Sequence, residues 1–258
     1  MKEKKESLWV KRYHFEVTDS TNEQAKKLAW EGAPHGTLIT ADTQTSGKGR
    51  RGRSWESEEQ NGIYMSFILK PKILPQNASM LTLVTASSVS LAIQKQLKKE
   101  GIISYIKWPN DIVMNQKKIC GILTEMELKQ GEIAHIIVGI GINVNQKKFP
   151  KEIDIASSIF LETGQILEKE ELIQEILRCF EEKYTIFLKT EDLTELKQEY
   201  ESLLINKEKR VTVLEPKGSW EGIARGITNK GELIIDTENG VQYVSSGEVS
   251  VRGVYGYV

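Results

Sequence analysis

From Arg210 to the C-terminus the chain consists of short alternating segments, and this change of texture restricts its architecture more than any other feature. RVTVLEP, WEGIARGIT, GELIIDT, VQYVSS and EVSVRG follow one another, punctuated by Asn229-Lys230-Gly231 and Asn239-Gly240. Closely spaced strands joined by such turns predict a small antiparallel barrel of about five strands. A domain boundary therefore falls near 207, dividing the chain into units 1–207 and 208–258. The length of 258 residues agrees with one large and one small domain at roughly 150 residues per domain.

The first unit mixes periods. Residues 8–17 read as an extended segment, and Asp19-Ser20-Thr21-Asn22 then precedes a helix-forming run, where a small polar residue suits an N-cap. Strands are expected at 36–41 and 62–69, separated by the loop Gly47-Lys48-Gly49-Arg50-Arg51-Gly52-Arg53. A long helical stretch covers about 77–99, carrying Leu81, Val84, Val89, Ala92, Ile93 and Leu97, with an amphipathic tail (QKQLKKE). A short strand at 102–106 runs into Lys107-Trp108-Pro109-Asn110-Asp111. Asn115-Gln116-Lys117 reads as a hairpin turn, and the strand IAHIIVGIGINV follows Gly131. Helices at 168–188 and 191–204 carry charged outer faces, with Leu172, Ile173, Ile176, Leu177 and Phe180 inward.

Several function classes lose support at once. Lys and Arg total 35 against 36 Asp and Glu, so there is no basic excess of the kind a dedicated nucleic-acid binder carries. No run approaches the ~18 apolar residues of a membrane span, and no secretory signal is visible. Cys120 and Cys179 belong to no C-x-x-C and read as buried reduced thiols, which favours a soluble, cytoplasmic protein. His14, His35 and His135 lack metal-ligand spacing, and no G-x-S-x-G elbow is present.

Three segments can carry chemistry. The loop 47–53 holds three glycines and four cations, which lets backbone and forked donors approach a phosphate or a pyrophosphate leaving group. A surface basic loop would have the same composition, and neither the P-loop nor the dinucleotide spacing is present. In Lys107 to Asp111, Pro109 stiffens the turn that presents Asn110 and Asp111, and a carboxylate there could hold Mg²⁺; an Asx-type turn beside a buried Trp is the alternative. The third segment is the pair Lys118–Leu123 and Val138–Asn143, where glycines inside apolar strands mark either close approach to a ligand or a bulge.

Taken in order, Asp19 to Asn22, Gln44, the loop 47–53, Lys107 to Asp111, Lys118 to Leu123, Gly139 to Asn143 and the tail Gly247 to Arg252 closely resemble the bacterial biotin–protein ligases. The resemblance covers nearly the whole chain. It implies an α+β fold: a mixed sheet flanked by helices, like the catalytic core of class II aminoacyl-tRNA synthetases, followed by an SH3-like C-terminal β-barrel. It also implies ATP, Mg²⁺ and biotin as ligands and a biotin carboxyl carrier protein as acceptor. Ser20, Thr21 and Gln44 would surround the ureido ring of biotin, with Gly47, Lys48 and Gly121 beside it. Lys118 would bridge the biotin carboxylate and the α-phosphate. Arg50 and Arg53 would serve the phosphates, with Lys107, Trp108, Asn110 and Asn143 on the nucleotide side and Asp111 toward Mg²⁺.

Two departures stand out. Lys48 replaces an Arg frequent in the family, and Lys cannot form a bidentate fork. Only 18 residues precede Asp19, too few for the winged-helix domain that many relatives carry, so the expected form lacks specific DNA binding. The chemistry implied is adenylation of biotin followed by transfer to a lysine, with Lys118, Arg50 and Asp111 as the catalytic candidates. Asp111 is the candidate for orienting the acceptor amine. Competing readings are a lipoate or octanoate ligase of the same core fold and a non-catalytic nucleic-acid-binding module. An exposed sheet edge could pair two copies into a homodimer.

Overall fold

In a computed structural model, residues 7–57, 61–97, 101–150, 153–216, 218–247, 249–253 and 257–258 are described. The first part runs β1 (Lys11–Thr18), α1 (Thr21–Trp30), β2 (Thr37–Gln44), the two-strand flap β3 (Gly47–Lys48) and β4 (Ser54–Trp55), then β5 (Gly62–Leu69) and α2 (Met80–Gln96). It continues through β6 (Tyr105–Lys107), β7 (Asp111–Met114), β8 (Lys117–Lys129) and β9 (Glu132–Asn143). Three helices, α3 (Ile159–Thr163), α4 (Lys169–Thr190) and α5 (Lys197–Ser202), lead to β10 (Lys209–Glu215), β11 (Gly218–Ile227), β12 (Leu233–Thr237), β13 (Gly240–Val244) and β14 (Ser250–Gly253).

A mixed seven-stranded sheet, in the order β1-β2-β5-β9-β8-β7-β6, forms the scaffold. Only the β1–β2 pair within it is parallel. The apolar run GIYMSFIL has no polar face to turn outward, and β5 is accordingly buried along its whole length near the middle of the sheet. Helix α1 covers one face through Ala25 and Ala29, which meet Ile39, Ile68 and Ile137. The other face packs against α2 and α4 through Phe67, Val84, Ile140, Phe180 and their neighbours.

Helix α2 forms where the sequence predicts a long helix, and only its tail reaches solvent. Residues Met80 to Ser90 are all buried, because the helix is enclosed between the sheet and α4. Its hydroxyls are satisfied within the helix or across it: Thr85 donates to the Leu81 carbonyl at 2.6 Å, Ser88 to Val84 at 2.7 Å, and Ser90 to Ser104 at 2.8 Å. The expected end of this helix, 98–99, lies outside the described residues, as does position 248 of the tail motif. The helix expected at 191–204 shrinks to α5. Glu191 turns left-handed at φ 53°, and the Asp192 carboxylate takes the Thr194 backbone N–H at 2.9 Å, a local bond that competes with helix initiation.

The last five strands form an antiparallel sheet in the order β13-β12-β11-β10-β14. This sheet is not an independent body, since Val211, Val213, Ala224, Ile227, Leu233 and Ile235 belong to the same buried cluster as α2 and α4. Backbone bonds between Ile106 and residues Leu203 and Ile205 tie β6 to the connecting segment. Trp108 closes the junction. It is 1% exposed, and its indole N–H donates to the Gly231 carbonyl at 3.0 Å.

This junction makes Trp108 a stability determinant. Trp108→Phe should lose the indole hydrogen bond, about 1 kcal/mol, and Trp108→Ala about 3–5 kcal/mol by leaving a cavity. Urea unfolding of both variants measures the difference; equal stabilities would show that the ring does not bind the two sheets together.

Candidate active site

The middle strands of the large sheet support a cleft rimmed by the start of α1, the flap, the turn between β6 and β7, and residues 249–252 of the small sheet. Two adjoining hollows share Gly49, Arg50, Trp55, Asn110 and Lys118.

The first hollow is lined by the uncharged donors and acceptors Ser20, Thr21, Asn22 and Gln44 together with the cations Lys48, Arg50 and Lys118. Ser20 stands at the N-cap position of α1, but its side chain makes no capping bond. Asp19 does the local work instead, accepting from the Ser20 N–H at 2.6 Å and the Gln24 amide at 3.1 Å. Gln44 Oε1 accepts from both the backbone N–H (2.8 Å) and the hydroxyl (3.1 Å) of Thr21. The Gln44 NH₂ is thereby turned away, toward Ser57 Oγ at 3.3 Å.

The floor of this hollow explains the strand glycines. A Cβ at Gly139 would sit 2.0 Å from Asn22 Oδ1, and one at Gly141 would sit 2.6 Å from Trp55 Cε2. The glycines therefore admit two side chains of this protein close to the sheet: Asn22 over Gly139, and the Trp55 indole over Gly121 and Gly141. Trp55 went unnoticed in the sequence. Its signal was present, a Trp directly after the basic loop and facing glycines at alternate strand positions, but nothing local pairs those segments. Its buried Nε1 has no hydrogen-bond partner among the described residues.

The second hollow is strongly cationic around one carboxylate. Lys118 Nζ lies 2.7 Å from Asp111 Oδ1 and 5.4 Å from the centroid of the Trp55 ring. Asp111 also accepts from the Asn110 amide at 3.1 Å and from the Tyr257 hydroxyl. Burial works against its ionisation, but the charges of Lys118 and Lys107 and the hydrogen bonds from Lys118 and Tyr257 prevail and hold its pKa below the usual carboxylate range. Burial also pulls Lys107 down to about 8, with Lys118, Arg252 and Arg53 adding to the fall and Asp111 opposing it. The Lys107 ammonium rests 4.2 Å from the Tyr257 ring centroid. Burial and the Asp111 charge raise the Tyr257 phenol far above its ordinary value, so it remains a donor.

Arg50 reaches across the cleft mouth. Its guanidinium donates to Asn110 Oδ1 at 2.8 Å, to the Gly247 carbonyl at 3.1 Å, and to the Ser246 carbonyl. The loop can return because Arg51 and Gly52 both adopt positive φ, at 60° and 72°.

Most of the residues singled out in the sequence line the two hollows, and several have a different setting from the one expected. Asn143 lines neither, since its amide donates to the Ser157 carbonyl at 2.9 Å and pins the end of β9. Trp108 lines the second hollow but spends its indole N–H on Gly231. Lys48 directs its ammonium to Glu23 at 2.8 Å, and Gly47 packs beside Gln44 and Trp55. Asp111, expected toward Mg²⁺, has both carboxylate oxygens committed to Lys118, Asn110 and Tyr257 and is surrounded by cations. The described residues contain no cluster of three or more His, Cys, Asp or Glu that could hold a metal. A resident divalent ion does not fit this arrangement, because each cation around Asp111 already competes for the same carboxylate.

The family described as "Biotin/lipoate A/B protein ligase family" matches residues 14–143, and "Biotin protein ligase C terminal domain" matches 208–252. The bifunctional ligase/repressor BirA of Bacillus subtilis (strain 168) is 40% identical over 242 residues, covering 93% of this chain and 73% of that protein. The biotin–[acetyl-CoA-carboxylase] ligase of Mycobacterium tuberculosis is 28% identical over 236 residues, covering 90% and 85%. A biotin protein ligase from Aquifex aeolicus, solved in complex with biotin and ATP, superposes with a TM-score of 0.81 at 33% identity, covering 95% of this chain and all of that one. With sequence similarity and backbone superposition both extending over more than nine-tenths of its length, this chain belongs to the biotin/lipoate A/B protein ligase family, on the side of the biotin protein ligases.

Proposed function

We propose that this chain is a biotin protein ligase that forms biotinyl-5'-AMP from biotin and MgATP and then transfers biotin to one lysine of a biotin carboxyl carrier protein. The observation that carries this reading is the position of Lys118. Its ammonium stands in the lining shared by the hollow that holds Ser20, Thr21 and Gln44 and the more strongly cationic one, where a ligand carboxylate and a phosphate would meet.

Biotin's carboxylate is ionised at neutral pH and needs no base to attack. Its oxygen bonds to the α-phosphorus, the bond from that phosphorus to the bridging oxygen breaks, and pyrophosphate leaves. Repulsion between two anions is the obstacle, so Lys118 and Arg50, with Arg53 and Lys107 along the phosphates, supply positive charge where it is needed. Magnesium would enter with the nucleotide, where it would offset part of the phosphate charge. In the second step a neutral lysine amine attacks the acyl carbon, AMP leaves with the acyl oxygen, and the amine loses a proton. Asp111, ionised and fixed beside Lys118, is positioned to orient that amine once Tyr257 or Lys118 yields a carboxylate oxygen.

Around this site, Ser20, Thr21 and Gln44 are read as partners of the ureido ring, with Gly47, Lys48 and Gly121 beside it and Asn110 and Trp108 toward the nucleotide. Asn143 is read as acting indirectly, by anchoring β9. Residues 1–207 are read as a catalytic unit of class II aminoacyl-tRNA synthetase type, and 208–258 as an SH3-like unit whose edge closes the cleft. Among the described residues no helix is long and apolar enough to cross a membrane. The two free, buried cysteines support a cytoplasmic setting. The net charge of −1 supports a chain without specific DNA binding of its own. Strand β1, at one edge of the large sheet, is a surface through which two copies could pair. The Arg-rich flap favours biotin over lipoate as substrate, and lipoate-dependent pyrophosphate release without biotin-dependent release would reverse that choice.

Three outcomes test the reading. Lys118→Ala should slow adenylate formation at least tenfold, from a charged hydrogen bond of ~1.5–3 kcal/mol; unchanged single-turnover synthesis of biotinyl-AMP removes Lys118 from the chemistry. Arg50→Ala should release biotinyl-AMP faster, because the flap loses its hold on Asn110 and residues 246–247, and labelling of bystander albumin measures the leak. A variant that retains adenylate as long as wild type shows that Arg50 is not the latch. Lys107 loses its charge as pH rises through about 8, so the KM for MgATP should climb between pH 7 and 9. Lys107→Arg should flatten that climb, and a wild-type KM independent of pH would separate Lys107 from the phosphates.

A further inference from the structure

A tyrosine offers two different surfaces, an electron-rich ring face and a hydroxyl that donates. Tyr257 applies both to one pair of charges. Lys107 and Asp111 are partners across the β6–β7 register. The Lys107 ammonium lies 4.2 Å from the centroid of the Tyr257 ring, and the Tyr257 hydroxyl donates to Asp111 Oδ2. Lys107 is 5% exposed and Asp111 8%. Among the described residues the Lys107 ammonium makes no hydrogen bond or ion pair; the aromatic face and, from farther off, the Asp111 charge stabilise it.

Tyr257 lies beyond β14, and Val258 returns to that strand at Gly253. A Cβ at Gly253 would sit 2.0 Å from the Val258 carbonyl oxygen, so backbone fills the place of a side chain there. The glycine thus lets the chain beyond β14 lie close enough for Tyr257 to reach the second hollow.

From these contacts we propose that Tyr257 is an internal competitor of the nucleotide: its ring and hydroxyl hold Lys107 and Asp111 while the site is empty, and MgATP binds only after they withdraw. The inference rests on the reading of the second hollow as the nucleotide side. A phosphate oxygen must come within about 2.7–2.9 Å of Lys107 Nζ to form a charge-assisted hydrogen bond. An ammonium that is 5% exposed leaves no path for a phosphate, so a covering group has to move. Trp108 is anchored to Gly231, Asp111 lies in β7 and Arg252 in β14. Tyr257 belongs to no strand or helix, is half-buried, and meets the hollow through those two contacts. A phosphate satisfies the ammonium better than a ring face does, and until one arrives the ring spares the protein a buried cation without a contact.

Two changes on opposite sides of this contact test it. Tyr257→Ala removes the competitor itself. Gly253→Ala leaves Tyr257, Lys107 and Asp111 intact but puts a methyl where the Val258 carbonyl packs, which draws Tyr257 from the hollow. Calorimetric titration of MgATP into the full chain at pH 7, without biotin, reads the effect. A ring docked about nine-tenths of the time raises the apparent dissociation constant about tenfold. Tyr257→Ala should therefore bind MgATP about tenfold more tightly than wild type, and Gly253→Ala should shift it in the same direction. The double variant should be no tighter than Tyr257→Ala, because both changes act through one contact. Biotin affinity should stay within about twofold of wild type in both, since Tyr257 lines the second hollow and not the first. A side chain that supported the nucleotide would cost affinity when removed, so unchanged or weaker MgATP binding in Tyr257→Ala overturns the proposal. Should that variant fail to fold, unchanged or weaker binding in Gly253→Ala overturns it equally. Tighter binding without any biotin-dependent pyrophosphate release supports the competitor and overturns the ligase reading. Wild type and variants that all fail to bind MgATP would overturn both.

Discussion

Six cationic side chains, Arg50, Arg51, Arg53, Lys107, Lys118 and Arg252, share one hollow with the carboxylate of Asp111, and the arrangement of the cleft depends on that balance. Positive charge held away from water is costly unless it is paired, and a single anion cannot neutralise six cations. The surplus remains as a positive field in a partly desolvated hollow, where a phosphate gains more than it would in water. Asp111 keeps that surplus from forcing the side chains apart. Its own ionisation is protected by Lys118 and by the hydrogen bond of Tyr257. The lowered pKa of Lys107 is the visible trace of its burial and of the remaining repulsion.

The half of the cleft that holds Ser20, Thr21 and Gln44 obeys a different constraint. Polar side chains beneath the ligand are buried, so every donor and acceptor must be assigned to a partner. Thr21 fixes the orientation of Gln44, Ser66 joins Thr21 to Asn22, and Glu125 ends the series. Close approach to the sheet is what permits the arrangement, since Asn22 reaches Ser66 only by crossing where Gly139 has no side chain. Packing and hydrogen-bond polarity are thus one problem here. The same strand pair serves the cationic half, where Gly121 and Gly141 seat Trp55 beside Lys118.

The small sheet contributes to the site through both its core and its edge. Its buried face continues the core around α2 and α4, while Arg50 and Tyr257 tie its far end to the cleft mouth. Trp108 joins the two tasks, because the turn that presents Asn110 and Asp111 is itself anchored to Gly231. Movement of the small sheet would therefore be felt at Asp111 and at the flap together.

Much of this was legible in the chain itself. The apolar run at 62–69, the hairpin at 115–117 and the alternating segments after Arg210 are local patterns, and the structure places strands and turns there. The basic flap and the Lys107–Asp111 turn were also visible, because glycine, proline and clustered charge act over a few residues. The helix at 191–204 is shorter than periodicity predicts, because a side chain competing for backbone outweighs the local pattern at its start. At the site, the sequence alone determined which residue types were available and on which loops they lay. Tertiary structure alone decided that Trp55 covers the strand glycines, that Asn143 spends its amide on Ser157, and that Tyr257 meets Asp111 from the far end of the chain. Periodicity records which face of a segment is buried; which distant segment fills the space above a glycine or satisfies a buried carboxylate depends on how all the elements pack at once.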